Sequence, residues 1–180
     1  VCSSDLSHFD TLPFWVAFDG HRSNDFTPYL YVTNDGGKTF RSIVNNLPKT
    51  SPADYLHVIR EDPYNRDLLF VGSSLSVYAS LDRGATWTKF GANLPSVPVF
   101  DLKVHPRDHE LIAATHGRSF WIAPIAPLEQ MTAKVLASNV HLFEPRTAYQ
   151  WGEAPTLAAG GNGNGQAFFQ DRKSTRLNSS

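Results

Sequence analysis

Apolar and polar residues alternate in short runs along most of this chain. Examples are Tyr29-Leu30-Tyr31-Val32, Leu56-His57-Val58-Ile59-Arg60, Leu68-Leu69-Phe70-Val71-Gly72, Val77-Tyr78-Ala79, Phe100-Asp101-Leu102-Lys103-Val104 and Leu111-Ile112-Ala113-Ala114-Thr115. Runs this short, rich in β-branched and aromatic residues and bounded by Gly, Pro, Asn and Asp, predict strands. After Ala123 the alternation stops. Pro124, Pro127 and the polar run 129–138 predict an irregular exit segment, with a short helix near Leu128–Ala137.

The strands recur in a fixed context. Thr33-Asn34-Asp35-Gly36-Gly37-Lys38-Thr39-Phe40 and Ser80-Leu81-Asp82-Arg83-Gly84-Ala85-Thr86-Trp87 both read Ser/Thr-x-Asp-x-Gly-x-Thr-aromatic, 47 residues apart. Each octet lies between two strand-like runs, so it predicts a tight turn. Asp35 and Asp82, with the hydroxyls of Thr33 and Ser80, can accept from loop N–H groups that lose their ladder partners. Gly37 and Gly84 suit a positive φ. Thr39 and Thr86 complete the turn, and Phe40 and Trp87 can fold back between neighbouring sheets.

A larger unit surrounds each octet. Asn46-Leu47-Pro48 and Asn93-Leu94-Pro95 follow, then a strand, then the turns Asp62-Pro63-Tyr64-Asn65 and His105-Pro106-Arg107-Asp108, then another strand. Four short strands per unit of about 45 residues is the period of a propeller blade. The fold class is therefore all-β, a partial β-propeller of about two and a half to three four-stranded blades. They comprise a partial blade over 14–43, a full blade over 55–90 and a third over 99–123. A blade buries its faces on two neighbours, so a stack this short leaves apolar sheet face uncovered.

The octets, Asn-Leu-Pro and His105-Pro106-Arg107-Asp108 resemble bacterial neuraminidase, or Asp-box, repeats. With Ala17-Phe18-Asp19-Gly20-His21-Arg22, Val58-Ile59-Arg60-Glu61-Asp62-Pro63 and Thr115-His116-Gly117-Arg118, the chain is similar to sortilin-like, glycosidase-annotated bacterial proteins over roughly 14–150. It departs from them at 72–76, which lacks a Glu-Phe-Gly character, and at 120–124, which lacks an acidic pair. The resemblance implies a propeller near the end of a much longer, exported chain, whose further blades would be partners of these. It also implies that Val140–Pro145 is a strand leaving the propeller. The expected division is blades over 7–126 and an exit segment with a Gly/Asn-rich linker (160–165) over 127–171, before a further domain. The ends, 1–6 and 172–180, break the pattern and resemble translated sequencing adapters, with natural tails as the other reading.

Composition narrows the function classes. The 180 residues carry a net charge of −1 and 41% hydrophobic residues, so charge gives no case for nucleic acid or a membrane surface. No stretch of 18 apolar residues predicts a membrane span. Cys2 is the sole cysteine and has no internal disulfide partner. Asp35 and Asp82 occupy equivalent turns in separate blades, so turn capping is favoured over a glycosidase carboxylate pair. Glu61-Asp62 reads as turn chemistry. His105, His109 and His116 lack zinc-type spacing, so no metal or cofactor is expected. Blade order puts His21, Arg22, His116 and Arg118 in equivalent loops on one rim, together with the Asn-Leu-Pro loops, and the octets on the other rim. Arg suits carboxylate or phosphate recognition, so these four are the candidate binding residues. The sequence points to a non-catalytic scaffold or binding propeller for a protein or glycan ligand. The alternative is part of a sialidase-type glycoside hydrolase.

Overall fold

The computed structural model describes residues 2–47, 54–91, 93–145 and 147. The expected linker at 160–165 and the terminal run 172–180 lie outside the described residues. The first sheet consists of β1 (Cys2–Leu6), β2 (Phe14–Phe18), β3 (Tyr29–Thr33) and β4 (Arg41–Ser42). The second holds β5 (Leu56–Glu61), β6 (Leu69–Ser73), β7 (Val77–Ser80) and β8 (Thr88–Phe90). The third holds β9 (Val99–His105), β10 (Glu110–Thr115) and β11 (Phe120–Pro124). Each sheet is an antiparallel meander in chain order. β1 packs on β5 and β5 on β9, so these are the three inner strands of successive blades.

Cys2–Leu6 breaks the repeat pattern of the sequence. In the structure it pairs with β2 from Cys2↔Phe18 to Leu6↔Phe14 and supplies the inner strand that the first blade would otherwise lack. The segment is also bound to the second blade. Glu61 N–H donates to Asp5 Oδ2 at 2.6 Å, and Ser7 Oγ donates to Glu61 Oε1 at 3.1 Å.

The core is two apolar layers. Trp15, Leu30 and Ile43 of the first blade meet Ile59, Val71 and Trp87 of the second. Val58, Phe70 and Val77 on the opposite face of the second blade meet Val99, Leu102 and Leu111 of the third. Alternation along each strand makes this possible, because successive side chains point to opposite faces. Among the described residues, the two outermost faces have no sheet against them. Phe18 and Phe40 are half-exposed on one, and Phe120 and Ile122 are 71% and 59% exposed on the other. The sheets do not close into a ring.

The exit segment forms two helical turns, α1 (Ala126–Glu129) and α2 (Ala133–Leu136), the second capped by Thr132. The strand expected at Val140–Pro145 does not form. No sheet edge lies beside it, and Val140 and Leu142 project into solvent. The Gln130 side chain anchors it, donating to Glu144 O at 3.1 Å and accepting from Glu144 N–H at 2.7 Å.

Candidate functional site

The antiparallel order separates two rims. The turns β1–β2, β3–β4, β5–β6, β7–β8 and β9–β10 share one. The loops β2–β3, β6–β7 and β10–β11 share the other with the segments entering β5 and β9. Two equivalent bonds tie that second rim together: Ser74 N–H to Tyr55 O and His116 N–H to Pro98 O, both 2.9 Å.

On the first rim the two octets have nearly identical internal bonding. Thr33 Oγ1 donates to Asp35 Oδ1 at 2.8 Å and accepts from Gly37 N–H at 2.9 Å. Thr39 N–H and Oγ1 both donate to Asp35, at 2.9 and 2.6 Å. In the second octet Ser80, Gly84, Thr86 and Asp82 repeat the set at 2.5–2.8 Å. The Thr39 hydroxyl and N–H, with Thr33, bring the Asp35 carboxyl down to about 2. At Asp82 burial works to raise the carboxyl, but the Thr86, Ser80 and Ala85 donors outweigh it and lower it. These two carboxylates are committed to their turns, in separate blades.

Trp87 fills the space between blades, with Nε1 donating to Ile43 O at 2.8 Å. Gly84 has φ +84°, and a Cβ there would lie 2.8 Å from Ile43 Cδ1. Phe40, expected to fold back between sheets as well, is instead half-exposed and lies edge-on to Phe14 of its own blade at 5.9 Å. Asn46 departs from its expected place too. Its side chain accepts from Trp87 N–H at 2.8 Å, joining the octet of the next blade rather than the His21 rim.

The other rim carries a site that the residues alone only half disclosed. His21 begins a 3₁₀ turn, His21–Ser23, in the β2–β3 loop, and His116 and Arg118 lie in the β10–β11 loop. Arg22, His116 and Arg118 are exposed. Between these loops runs an unbroken row of rings. Phe26 lies 5.7 Å from Tyr55, Tyr55 stacks on His21 at 4.8 Å and 20°, and Tyr55 lies 4.9 Å from His57. His57 lies 4.4 Å from Phe100, and Phe100 lies 5.5 Å from His116.

Asp19, Phe26, Tyr55, His57 and Phe100 were not singled out from the sequence. His57 and Phe100 reach the row by the same device. The β5–β6 register skips His57, between Leu56↔Ser73 and Val58↔Gly72. The β9–β10 register skips Phe100, between Val99↔Thr115 and Asp101↔Ala114. Each is the extra residue of a β-bulge, which re-aims a side chain at a sheet end. No break in the sequence alternation marks either bulge; in the structure the second shows as two successive exposed residues, Phe100 and Asp101.

Asp19 holds two of the row's three imidazoles. Its side chain is 2% exposed, with Oδ1 2.5 Å from His21 Nδ1 and Oδ2 3.2 Å from His57 Nδ1. Burial works to raise Asp19, but the hydrogen bonds from the His21 backbone N–H and ring outweigh it and lower it. Burial lowers His57, against the pull of Asp19, which favours its neutral ring. The carboxylate thus fixes Nδ1–H on both rings. His57 Nε2 is 3.4 Å from Ser74 Oγ, completing an Asp–His–Ser sequence. That hydroxyl, however, is buried and donates to Tyr55 O at 3.2 Å, so this row fastens β5 to the β6–β7 loop. Among the described residues, no cluster of three or more His, Cys, Asp or Glu is arranged to hold a metal ion.

No protein-family model matches this chain, and no curated protein does. Solved structures do. An ancestral GH74 enzyme aligns with a TM-score of 0.50 and 16% identity, over 63% of this chain and 16% of that one. YCF48 bound to D1 peptide aligns with a TM-score of 0.47 and 18% identity, over 68% of this chain and 35% of that one. The fold is an open β-propeller segment. It spans well under two thirds of either neighbour's length. No helix among the described residues is long and apolar enough to cross a membrane.

Proposed function

We propose that these blades are a non-catalytic scaffold and binding part of a longer, exported, sortilin-like protein of the Asp-box type, and that the ring-lined rim is the binding face. The observation that carries this reading is the ring row itself, which crosses three blades and is flanked by Arg22 and Arg118. Two matched bulges are needed to build it. Flat rings with imidazole and guanidinium donors at their margins suit the C–H faces and hydroxyl or carboxylate groups of a glycan. Further blades of the longer chain cover the Phe18/Phe40 face and the Phe120/Ile122 face.

A sialidase-type glycoside hydrolase is the second reading, since the GH74 neighbour is an enzyme with the same fold. The rim offers it little: Asp19 is enclosed by two imidazoles, and Asp35 and Asp82 belong to the other rim.

Titration of the chain with sialylated and neutral oligosaccharides tests the proposal. Binding weakened at least tenfold by Tyr55→Ala or Arg118→Ala, with melting near normal for Arg118→Ala, is the expected result. Turnover of a fluorogenic sialoside that these substitutions abolish would replace it with the enzyme reading.

A further inference from the structure

The exit segment is bound to the octet-bearing rim through a buried cluster remote from the ring row. Asp62 follows β5 and is fully buried. Its Oδ1 accepts from Tyr64 N–H and Asn65 N–H, each at 2.8 Å. Its Oδ2 has no donor among the described residues. Glu129 ends α1 with a side chain 6% exposed, and its Oε2 meets His109 Nδ1 at 2.6 Å. Its Oε1 is likewise buried without a donor. Asn65 donates its N–H to Asp62 and reaches with its side-chain amide to Leu128 O beside Glu129, so the two orphaned oxygens belong to one buried cluster, where each carboxyl bears on the other electrostatically. Two carboxylates have no hydrogen to share, so ionising both would leave two buried acceptors unsatisfied and two like charges in contact. A single proton between them satisfies both oxygens.

We propose that Asp62 and Glu129 share one proton, and that this proton latches α1 onto the second and third blades until rising pH removes it. Other bonds guide the helix to its seat. Ile125 N–H donates to His109 O at 2.9 Å, and the Asn65 amide reaches Leu128 O and Met131 O at 3.4 and 3.3 Å. The charged and titratable groups around the pair are few. His109 touches Glu129, and the Tyr64 ring lies 4.7 Å from His109 while its hydroxyl donates to Pro106 O. Arg107, Asp108 and Glu110 flank His109 in sequence, and Arg107 pairs with Asp108 at 2.8 Å. Burial raises Asp62 against its backbone donors, and burial with the Asp62 charge raises Glu129 against His109. Folded pKa values raised above the ordinary ones mean that the latch is complete below the ordinary carboxyl range. It is lost as pH rises through the raised values.

Met131 is the sole methionine and sits two residues beyond Glu129, so ¹³C-methyl methionine labelling of the full chain gives a one-signal NMR probe of the seat. The expected result is a docked signal at acid pH that gives way to a released one, their ratio changing about tenfold per pH unit above the midpoint, as one proton requires. Glu129→Gln keeps an acceptor for His109 and gives Asp62 a permanent N–H donor, so its signal stays docked at every pH. Asp62→Asn does the same from the other side and serves if the first variant folds poorly. His109→Gln retains the wild-type transition. A wild-type signal indifferent to pH, or amide variants that still titrate, would overturn the proposal. So would loss of the transition in His109→Gln, which would make the imidazole the switch.

Discussion

Phe40 and Trp87 close the same eight-residue turn, yet Phe40 is 51% exposed and Trp87 2%. The turns themselves barely differ: a hydroxyl and a carboxylate collect the same donors in each. What differs is the neighbour. Trp87 enters the layer shared with Trp15 and Ile43 of the preceding blade, and its indole N–H finds Ile43 O there. Phe40 faces the side on which no preceding sheet stands. The octet is thus a self-sufficient turn whose aromatic becomes a core residue only when another blade arrives.

The sharpest way to break this comparison is truncation of both aromatics. Trp87→Ala should cost roughly 3–5 kcal/mol, as removal of a buried aromatic does. Phe40→Ala should cost under about 1 kcal/mol, because its side chain is already half in water and loses one edge-on contact. Urea midpoints of the two variants decide it, and equal shifts would mean that the preceding blade contributes nothing to Trp87.

The turns should respond alike where the aromatics do not. Asp82→Ala leaves the Thr86 and Ser80 donors without their acceptor and should cost about 1–2 kcal/mol. Asp35→Ala should act in the same direction. Both carboxyls are lowered, Asp35 from 3.8 to about 2. Their contribution is therefore present above the ordinary carboxyl range and lost as pH falls toward 2. Melting followed from pH 5 to pH 2 should fall less steeply in Asp35→Asn than in the wild-type chain. A parallel slope would show that the turn does not hold its charge.

The smallest effect is expected on the ring-lined rim. Arg22 and Arg118 are exposed. Arg22→Ala and Arg118→Ala should change stability by less than about 0.5 kcal/mol, read from thermal melts. An early melt for Arg118→Ala would make its loop a fastener between blades rather than part of a binding face.

The strands were legible because alternation and turn chemistry are local. Residues 29–33, 56–61, 77–80 and 110–115 fall where the pattern places them, within a residue or so. Cys2–Leu6 was not legible: five residues without a repeat partner become a strand only because β2 offers an open edge. The rim was partly legible. Blade order separated the His21 and His116 loops from the octets, but Asp19, Tyr55, His57 and Phe100 lay inside runs that read as ordinary strand and loop.

The sequence by itself determined the antiparallel blades and the octet geometry, because both depend on side chains acting on backbone within a few residues. Tertiary structure alone decided which of two equivalent aromatics is core. It also turned two single-residue bulges into a continuous row of rings, and brought Glu129 against Asp62, 67 positions apart in the chain. Burial, ring contact and a shared proton are properties of pairs, and the pairs exist only once the blades stand side by side.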